Sequence, residues 1–334
     1  MLKPLSTTGI GSLPHVDPEE ACRLTLEAFD IPFWPQLPKI SFREWMIPQY
    51  SEGMPFVRID HEHENIYVER DNSDELERFY ETYTDDCKIA VSEDFAKGLH
   101  AFLKIIRGKR FEVLKGQVTG PLTFTLGLKD RSGRLAYFDE ELRQISLMLL
   151  QAKARWQIEQ LKQHTENVII FIDEPILSAI GSSTYLGVSR EESLRLLTET
   201  AAAIKNAGGI AGIHCCGNAE WPLIIESGVE IINFDAYGYF ENLAMYHENI
   251  RRFLDNGGML AWGIIPTSDD INIETPETII RKFRKRLERF SELIPQDMLL
   301  SRIILTPSCG TGSRNISEAL KIFQLLMRLK EALA

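Results

Sequence analysis

Three short phrases, far apart in the chain, carry the side chains best suited to chemistry: His214-Cys215-Cys216-Gly217, Ile232-Asn233-Phe234-Asp235 and Thr306-Pro307-Ser308-Cys309-Gly310. Each ends a run of apolar residues, so an imidazole, two or three thiols and a carboxylate can converge at the ends of neighbouring strands. Imidazole and thiolate donors suit zinc, whereas magnesium and calcium prefer shells of oxygen. His214 and Cys216 stand two residues apart, which places both on one side of an extended strand end. Cys215 then points the other way and reads as packing, with ligation in place of Cys216 as the alternative. Asp235 and Cys309 end strands of their own, so the expected zinc ligands are His214, Cys216, Asp235 and Cys309. Such a site keeps a replaceable partner, and a substrate thiol with an ordinary pKa near about 8.5 loses its proton on that ion. The predicted chemistry is therefore preparation of a sulfur nucleophile. Hydrolysis by zinc hydroxide suits the site less, because anionic thiolate ligands reduce Lewis acidity.

Asp173-Glu174 closes another apolar run, Val168-Ile169-Ile170-Phe171-Ile172. The pair is either a structural set of capped or salt-bridged carboxylates or a catalytic one. In the functional reading, one carboxylate binds the ammonium of an amino-acid substrate, and Ser12, with backbone around Gly11, contacts its carboxylate. His61-Glu62-His63 has strand spacing for a metal pair but reads as solvated loop, and the role of His15 is left open. The five cysteines make a poor disulfide framework. Cys22 and Cys87 sit in segments readable as helix and are expected to be buried packing.

These residues need elements to position them. Candidate strands are Phe111 to Val118, Val168 to Ile172, Gly209 to Ile213, Val229 to Phe234, Met259 to Ile265 and Arg302 to Leu305, with two more at Thr7 to Ile10 and Phe33 to Leu37. Amphipathic stretches alternate with them: Asp139 to His164, Arg190 to Asn206, Ala219 to Glu226, Leu243 to Asn256, Pro276 to Leu293 and Ile316 to Leu333. Eight strands alternating with helices predict an α/β fold, a (β/α)8 TIM barrel formed as a single domain over residues 1–334. Nearly continuous apolar strands argue for parallel pairing covered on both faces. Residues 39–90 are acidic and aromatic, with a short strand at Asn65 to Glu69, and read as an excursion over the barrel mouth. In such barrels chemistry gathers at the carboxyl ends of the strands, where the unusual polar residues fall.

The chain has 334 residues, 44% of them apolar, and a net charge of −11. That balance disfavours general nucleic-acid or anionic-membrane binding, which needs clustered cations. The run Arg281 to Arg286 reads as the wet face of a helix. No apolar stretch approaches the roughly 20 residues that span a bilayer, and the start lacks the apolar core of a signal peptide. A cytoplasmic protein is expected.

Taken in order, Thr7-Thr8-Gly9-Ile10-Gly11-Ser12-Leu13-Pro14, Thr119-Gly120-Pro121-Leu122-Thr123, Ile172-Asp173-Glu174-Pro175, His214-Cys215-Cys216, Asp235 and Pro307-Ser308-Cys309-Gly310 resemble the catalytic domain of cobalamin-independent methionine synthase. Its superfamily includes uroporphyrinogen decarboxylase and the zinc-dependent methylcorrinoid:thiol methyltransferases, and His214-Cys215-Cys216-Gly217-Asn218 is similar to the latter. The resemblance spans nearly the whole chain. It implies a methyltransferase with zinc on His214, Cys216 and Cys309, with Asp235 where methionine synthases have a glutamate. It also implies homocysteine contacts at Ser12 and Asp173. Three departures stand out: the chain is about half as long as two-barrel methionine synthases, Phe124 to Leu128 lacks their pterin-associated tryptophan, and Gly263 to Asp270 lacks their proton-relaying histidine. They favour a methylcorrinoid, such as methylcobalamin or a corrinoid protein, over methyltetrahydrofolate as donor. Coenzyme M remains an alternative acceptor. A metal-free decarboxylase and a non-catalytic zinc- or corrinoid-binding protein are the readings from other classes.

Overall fold

The computed structural model describes residues 2–84, 86–182 and 185–333. Among the described residues nine strands are formed: β1 (Val57–Asp60), β2 (Asn65–Val68), β3 (Val113–Thr119), β4 (Lys129–Asp130), β5 (Asn167–Asp173), β6 (Ile210–Cys215), β7 (Ile231–Phe234), β8 (Met259–Ile265) and β9 (Ile303–Pro307). Strands β3, β5, β6, β7, β8 and β9 make one parallel sheet in that order, a curled α/β sheet of the TIM-barrel-like kind. Helices connect its strands, among them Glu140–Lys162, Arg190–Asn206, Trp221–Glu226, His247–Asp255 and Pro276–Ser291, and Ile316–Leu333 follows the last. All six strands lie within two residues of the ranges expected from apolar runs.

The two faces of this sheet separate cleanly by parity, as strand geometry requires. Val168, Ile170, Ile172, Ala211, Ile213, Ile232 and Leu260 join the large core beneath the helices. Their neighbours Val113, Ile169, Phe171, Ile231, Met259, Ala261 and Ile304 form a second, smaller core on the inner face. Farther along the same inner parity, apolar residues give way to Lys115, Gln117, Thr119, Asp173, His214, Asn233 and Thr306, all buried. The inner face is thus apolar at its amino end and polar at its carboxyl end.

Among the described residues the expected first two strands form only isolated parallel bridges, Thr7 with Leu305, Phe33 with Lys115 and Gln36 with Ser12. Backbone bonds accompany them: Thr8 N to Leu305 O at 3.1 Å, Ile31 N to Thr7 O at 3.0 Å and Lys115 N to Pro32 O at 2.9 Å. Pro32 and Pro35 have no N–H to donate, which explains why pairing there stays broken. The segment around Cys22 forms the helix Pro18–Ala28, capped by Asp17, whose carboxylate accepts from Glu19 N and Glu20 N; the helices Lys97–Ile105 and Pro121–Gly127 are among those that the apolar pattern did not anticipate.

Within 39–90, β1 and β2 pair antiparallel, and β2 adds β4 in parallel. The expected strand is β2. Cys22 is buried in its helix, but Cys87 lies half-buried outside any helix, since the helix Asp74–Thr82 stops short of it. In the basic run, Phe283 is buried and Arg281, Arg284 and Lys285 are exposed, as a wet helix face requires. Among the described residues no helix is long and apolar enough to cross a membrane.

Candidate metal centre

The parallel register sets Asp173 beside His214 and His214 beside Asn233. Asn233 donates through Nδ2 to Ala261 O at 2.9 Å and to Thr306 Oγ1 at 2.8 Å. Its Oδ1 is therefore turned to His214 Nδ1, with which it forms a short hydrogen bond. An amide oxygen accepts only, so His214 carries its proton on Nδ1 and keeps the Nε2 lone pair for a metal, the usual way a ligating imidazole is oriented. Sequence reading gave Asn233 no role. Its signal was a polar residue inside an apolar run, at the same parity as Asp235.

His214, Cys216 and Cys309 present ligand atoms that all lie within 4.8 Å of one another. Zinc bonds of about 2.0 to 2.3 Å separate ligands by distances inside that limit, so this donor set fits the ion that the sequence calls for. The hydrogen bond from Cys309 and then the imidazole pull Cys216 down to about 4, while the same contact with Cys216 and burial push Cys309 well up. Burial acts to lower His214, but its hydrogen bond and attraction to the Cys216 thiolate outweigh that and raise it.

Asp235 is not part of this group. It is half-buried at the end of β7, where its carboxylate accepts from Gly238 N at 2.7 Å. Cys215 lies on the outer parity in the large core, buried, and burial pushes its thiol up to about 12. His61 and His63 occupy an exposed turn, where His61 accepts from Arg43 and His63 contacts Asp60. His15 is buried, and its Nδ1 has no hydrogen-bond partner among the described residues.

The two expected catalytic carboxylates part ways. Asp173 faces a cavity of about 290 Å³ that is also lined by Ser12, Trp45, Met46, His214, Cys216 and Cys309. Its Oδ1 is buried and without a hydrogen-bond partner among the described residues. Burial pushes Asp173 up to about 6, against the pull of His214 and Lys115. Lys115 is itself fully buried on the inner face, donating to Ile10 O and Gln117 Oε1 with its ammonium 4.5 Å from the Phe171 ring centre. Glu174, by contrast, accepts from Leu122 N at 2.8 Å and from Thr123 N and Oγ1, each at 2.7 Å. A methyl group at Gly120 would sit 2.1 Å from the Glu174 carboxyl carbon, so only glycine fits there. These contacts hold Glu174 against the first turn of the helix Pro121–Gly127, which follows β3. Ser12 Oγ accepts from Gly312 N at 3.2 Å and joins the first strand end to the loop that carries Cys309. A larger cleft, about 1020 Å³, lies between residues 42–48 and β2 and β4. Among the described residues it contains no comparable donor set, so size does not choose the site.

No family model matches the sequence, and no curated protein matches it. Among solved structures the chain is similar to a B12-independent methionine synthase from Shewanella sp. W3-18-1, in complex with selenomethionine. Identity is 15%, the alignment covers 99% of this chain and 98% of that one, and the TM-score is 0.62. It is also similar to a methyltransferase from Methanosarcina mazei, at 15% identity over 100% of this chain and 94% of that one, with a TM-score of 0.60. At such identity the likeness is one of fold.

Two outcomes are expected. Ligation requires both thiols and the imidazole to be free of competing protons; Cys309 and His214 are raised while Cys216 is already low, so zinc affinity should climb with pH, by about tenfold per unit for each proton released. Chelator competition between about pH 6 and 8 measures this, with one zinc per chain and loss of tight binding in Cys309→Ala. Glu174→Gln turns an amide N–H₂ toward backbone donors and should cost roughly 1 to 3 kcal/mol in urea unfolding. Burial raises the Glu174 pKa from 4.5 to about 7. Its contribution to stability is therefore full below 4.5 and fades as pH rises through about 7, and the glutamine variant should lack that slope.

Proposed function

We propose that this chain is a zinc-dependent methyltransferase that moves a methyl group onto a thiol, with homocysteine as acceptor and methionine as product. The observation that carries the reading is the meeting of His214, Cys216 and Cys309 at the polar end of the inner sheet face. We further read the bridged segments around Thr7 and Phe33 as the first two strands of a closed (β/α)8 barrel, and 39–90 as an excursion over its mouth. Pro38, Glu44, Trp45 and Met46 line the cavity and support that placement.

His214, Cys216 and Cys309 would hold the ion, with Asp235 near enough to Cys216 and His214 for their charges to affect it. Zinc, when bound, supplies a lowered thiol pKa and so an acceptor sulfur already deprotonated at neutral pH. Asn233 fixes the imidazole. Asp173 offers its free Oδ1 to the substrate ammonium, and Ser12 borders the same space. Trp45 and Met46 wall the cavity and limit water, so that sulfur and methyl carbon can align. One S–C bond forms as the bond between methyl carbon and donor breaks, and the electron pair leaves with the donor. A methylcorrinoid, free or protein-bound, is the favoured donor because cobalt takes that pair without needing a proton; methyltetrahydrofolate is the alternative. A decarboxylase reading expects arginines for substrate carboxylates, and among the described residues no arginine lines the cavity.

The test is methyl transfer from methylcobalamin to homocysteine by the zinc-loaded protein, followed by methionine formation and the change in cobalamin absorbance. Removing zinc should abolish transfer. Cys309→Ala should lower it by at least about 100-fold, the upper end of the cost of disturbing a metal's outer shell. Full metal content and full transfer in that variant would sink the assignment.

A further inference from the structure

A methyl donor must bring its carbon to the acceptor sulfur, so its site has to adjoin the cavity beside the metal cluster. That cavity, about 290 Å³, lies at the lower edge of pockets that enclose a small ligand, about 300 to 1,000 Å³, and has no room for a bulky donor beside an acceptor. The cleft of about 1020 Å³ has the room, and it shares Trp45 and Met46 with the cavity. Clefts of about 720, 550 and 540 Å³ elsewhere on the molecule share no lining residue with it.

The shared wall is held from several sides. Thr119 Oγ1, at the end of β3, donates to Met46 O at 2.6 Å. Trp45 donates through Nε1 to Pro38 O at 3.0 Å, and its ring meets Phe42 edge-on with centroids 5.1 Å apart. Glu44, one residue earlier, accepts from Leu37 N at 3.2 Å and Lys97 N at 2.9 Å. Fixed in this way, Trp45 still leaves 43% of its surface exposed. Ile66 and Tyr67 of β2 form the other side of the cleft. Exposed, immobilised aromatic surface over a space of this size suits a flat ring system. Charge narrows the choice of ring. Asp60, Glu64 and Asp130 line the cleft with Lys129 and Arg131, and Arg131 is already paired with Glu69 at 2.7 Å. The balance is acidic, which opposes the carboxylate tail of a folate and suits a corrin, whose edge carries amide N–H donors.

We infer that the cleft between Trp45 and Tyr67 is the donor site and takes the corrin ring of a free methylcorrinoid, with Trp45 and Met46 as the partition between donor and acceptor. The inference rests on the methyl-transfer reading and deepens it by giving the donor a place of its own. Across that partition the sulfur–carbon bond forms as the cobalt–carbon bond breaks, and cobalt keeps the electron pair. Donor and acceptor then occupy separate spaces, so a change confined to the cleft acts on the donor alone.

The experiment is equilibrium dialysis of the zinc-loaded protein against methylcobalamin, read by its absorbance, with homocysteine binding measured by calorimetry on the same samples. Trp45→Ala should weaken methylcobalamin by about tenfold or more, the cost of losing one stacking platform, and Trp45→Phe should recover most of it. Lys129 is exposed on β4, so Lys129→Trp fills the cleft from a position that tolerates change. It should weaken methylcobalamin by a similar factor and leave homocysteine affinity unchanged. In the wild-type protein an equal concentration of methyltetrahydrofolate should not displace methylcobalamin, a comparison that stands even if a variant fails to fold. Unchanged methylcobalamin binding in both Trp45→Ala and Lys129→Trp overturns the inference, and so does displacement by methyltetrahydrofolate. Lys129→Trp weakening both ligands alike overturns it as well. A wild-type protein that binds homocysteine but no methylcobalamin overturns it and leaves the thiol reading intact, whereas binding of methylcobalamin without homocysteine removes the thiol reading and not the donor site.

Discussion

The in-register parallel ladder through Asp173, His214 and Asn233 is the constraint on which the site depends. In a parallel sheet the side-chain period is two, so a slip of one residue in any strand would turn its polar terminus out under the helices. Register is enforced from the other end: Ile169, Phe171, Ile231, Met259 and Ala261 pack the inner face and pin the parity that His214 and Asn233 inherit. The apolar half of the interior thereby specifies the position of the polar half.

Placing charge inside that interior has a cost, and the structure distributes it. Lys115 is desolvated enough to fall to about 7, and Asp173 is raised to about 6. Each lessens the other's burden, because opposite charges in a weakly screening interior attract strongly. Glu174 meets its own cost through three hydrogen bonds from one short turn. Adjacent carboxylates in sequence thus have unlike tasks: one shapes the backbone, and the other keeps an unsatisfied oxygen in a cavity.

The fold shared with two methyltransferases leaves function open, since barrels of this type host many chemistries. What narrows it here is the donor set. Two thiols and an oriented imidazole present ligand atoms within 4.8 Å of one another, and Asn233 turns its oxygen to His214.

Apolar runs and helical periodicity were enough to locate six strands and their helices, and residue types at the strand ends singled out His214, Cys216 and Cys309, whose ligand atoms the fold brings within 4.8 Å of one another. Both signals are local, because burial on two faces and strand parity write themselves into consecutive residues. The prolines at 32 and 35, also local, broke the pairing of an expected strand. Tertiary structure alone decided the rest: that Asp235 accepts from Gly238 N, that Glu174 accepts from the first turn of the helix Pro121–Gly127, that Cys87 lies outside a helix, and that Asn233 orients the imidazole. It alone brought Gln36 over Gly11 with its amide set by Gln49. Those outcomes depend on hydrogen-bond partners dozens of residues away, and no periodicity within a single segment encodes which partner a side chain will meet.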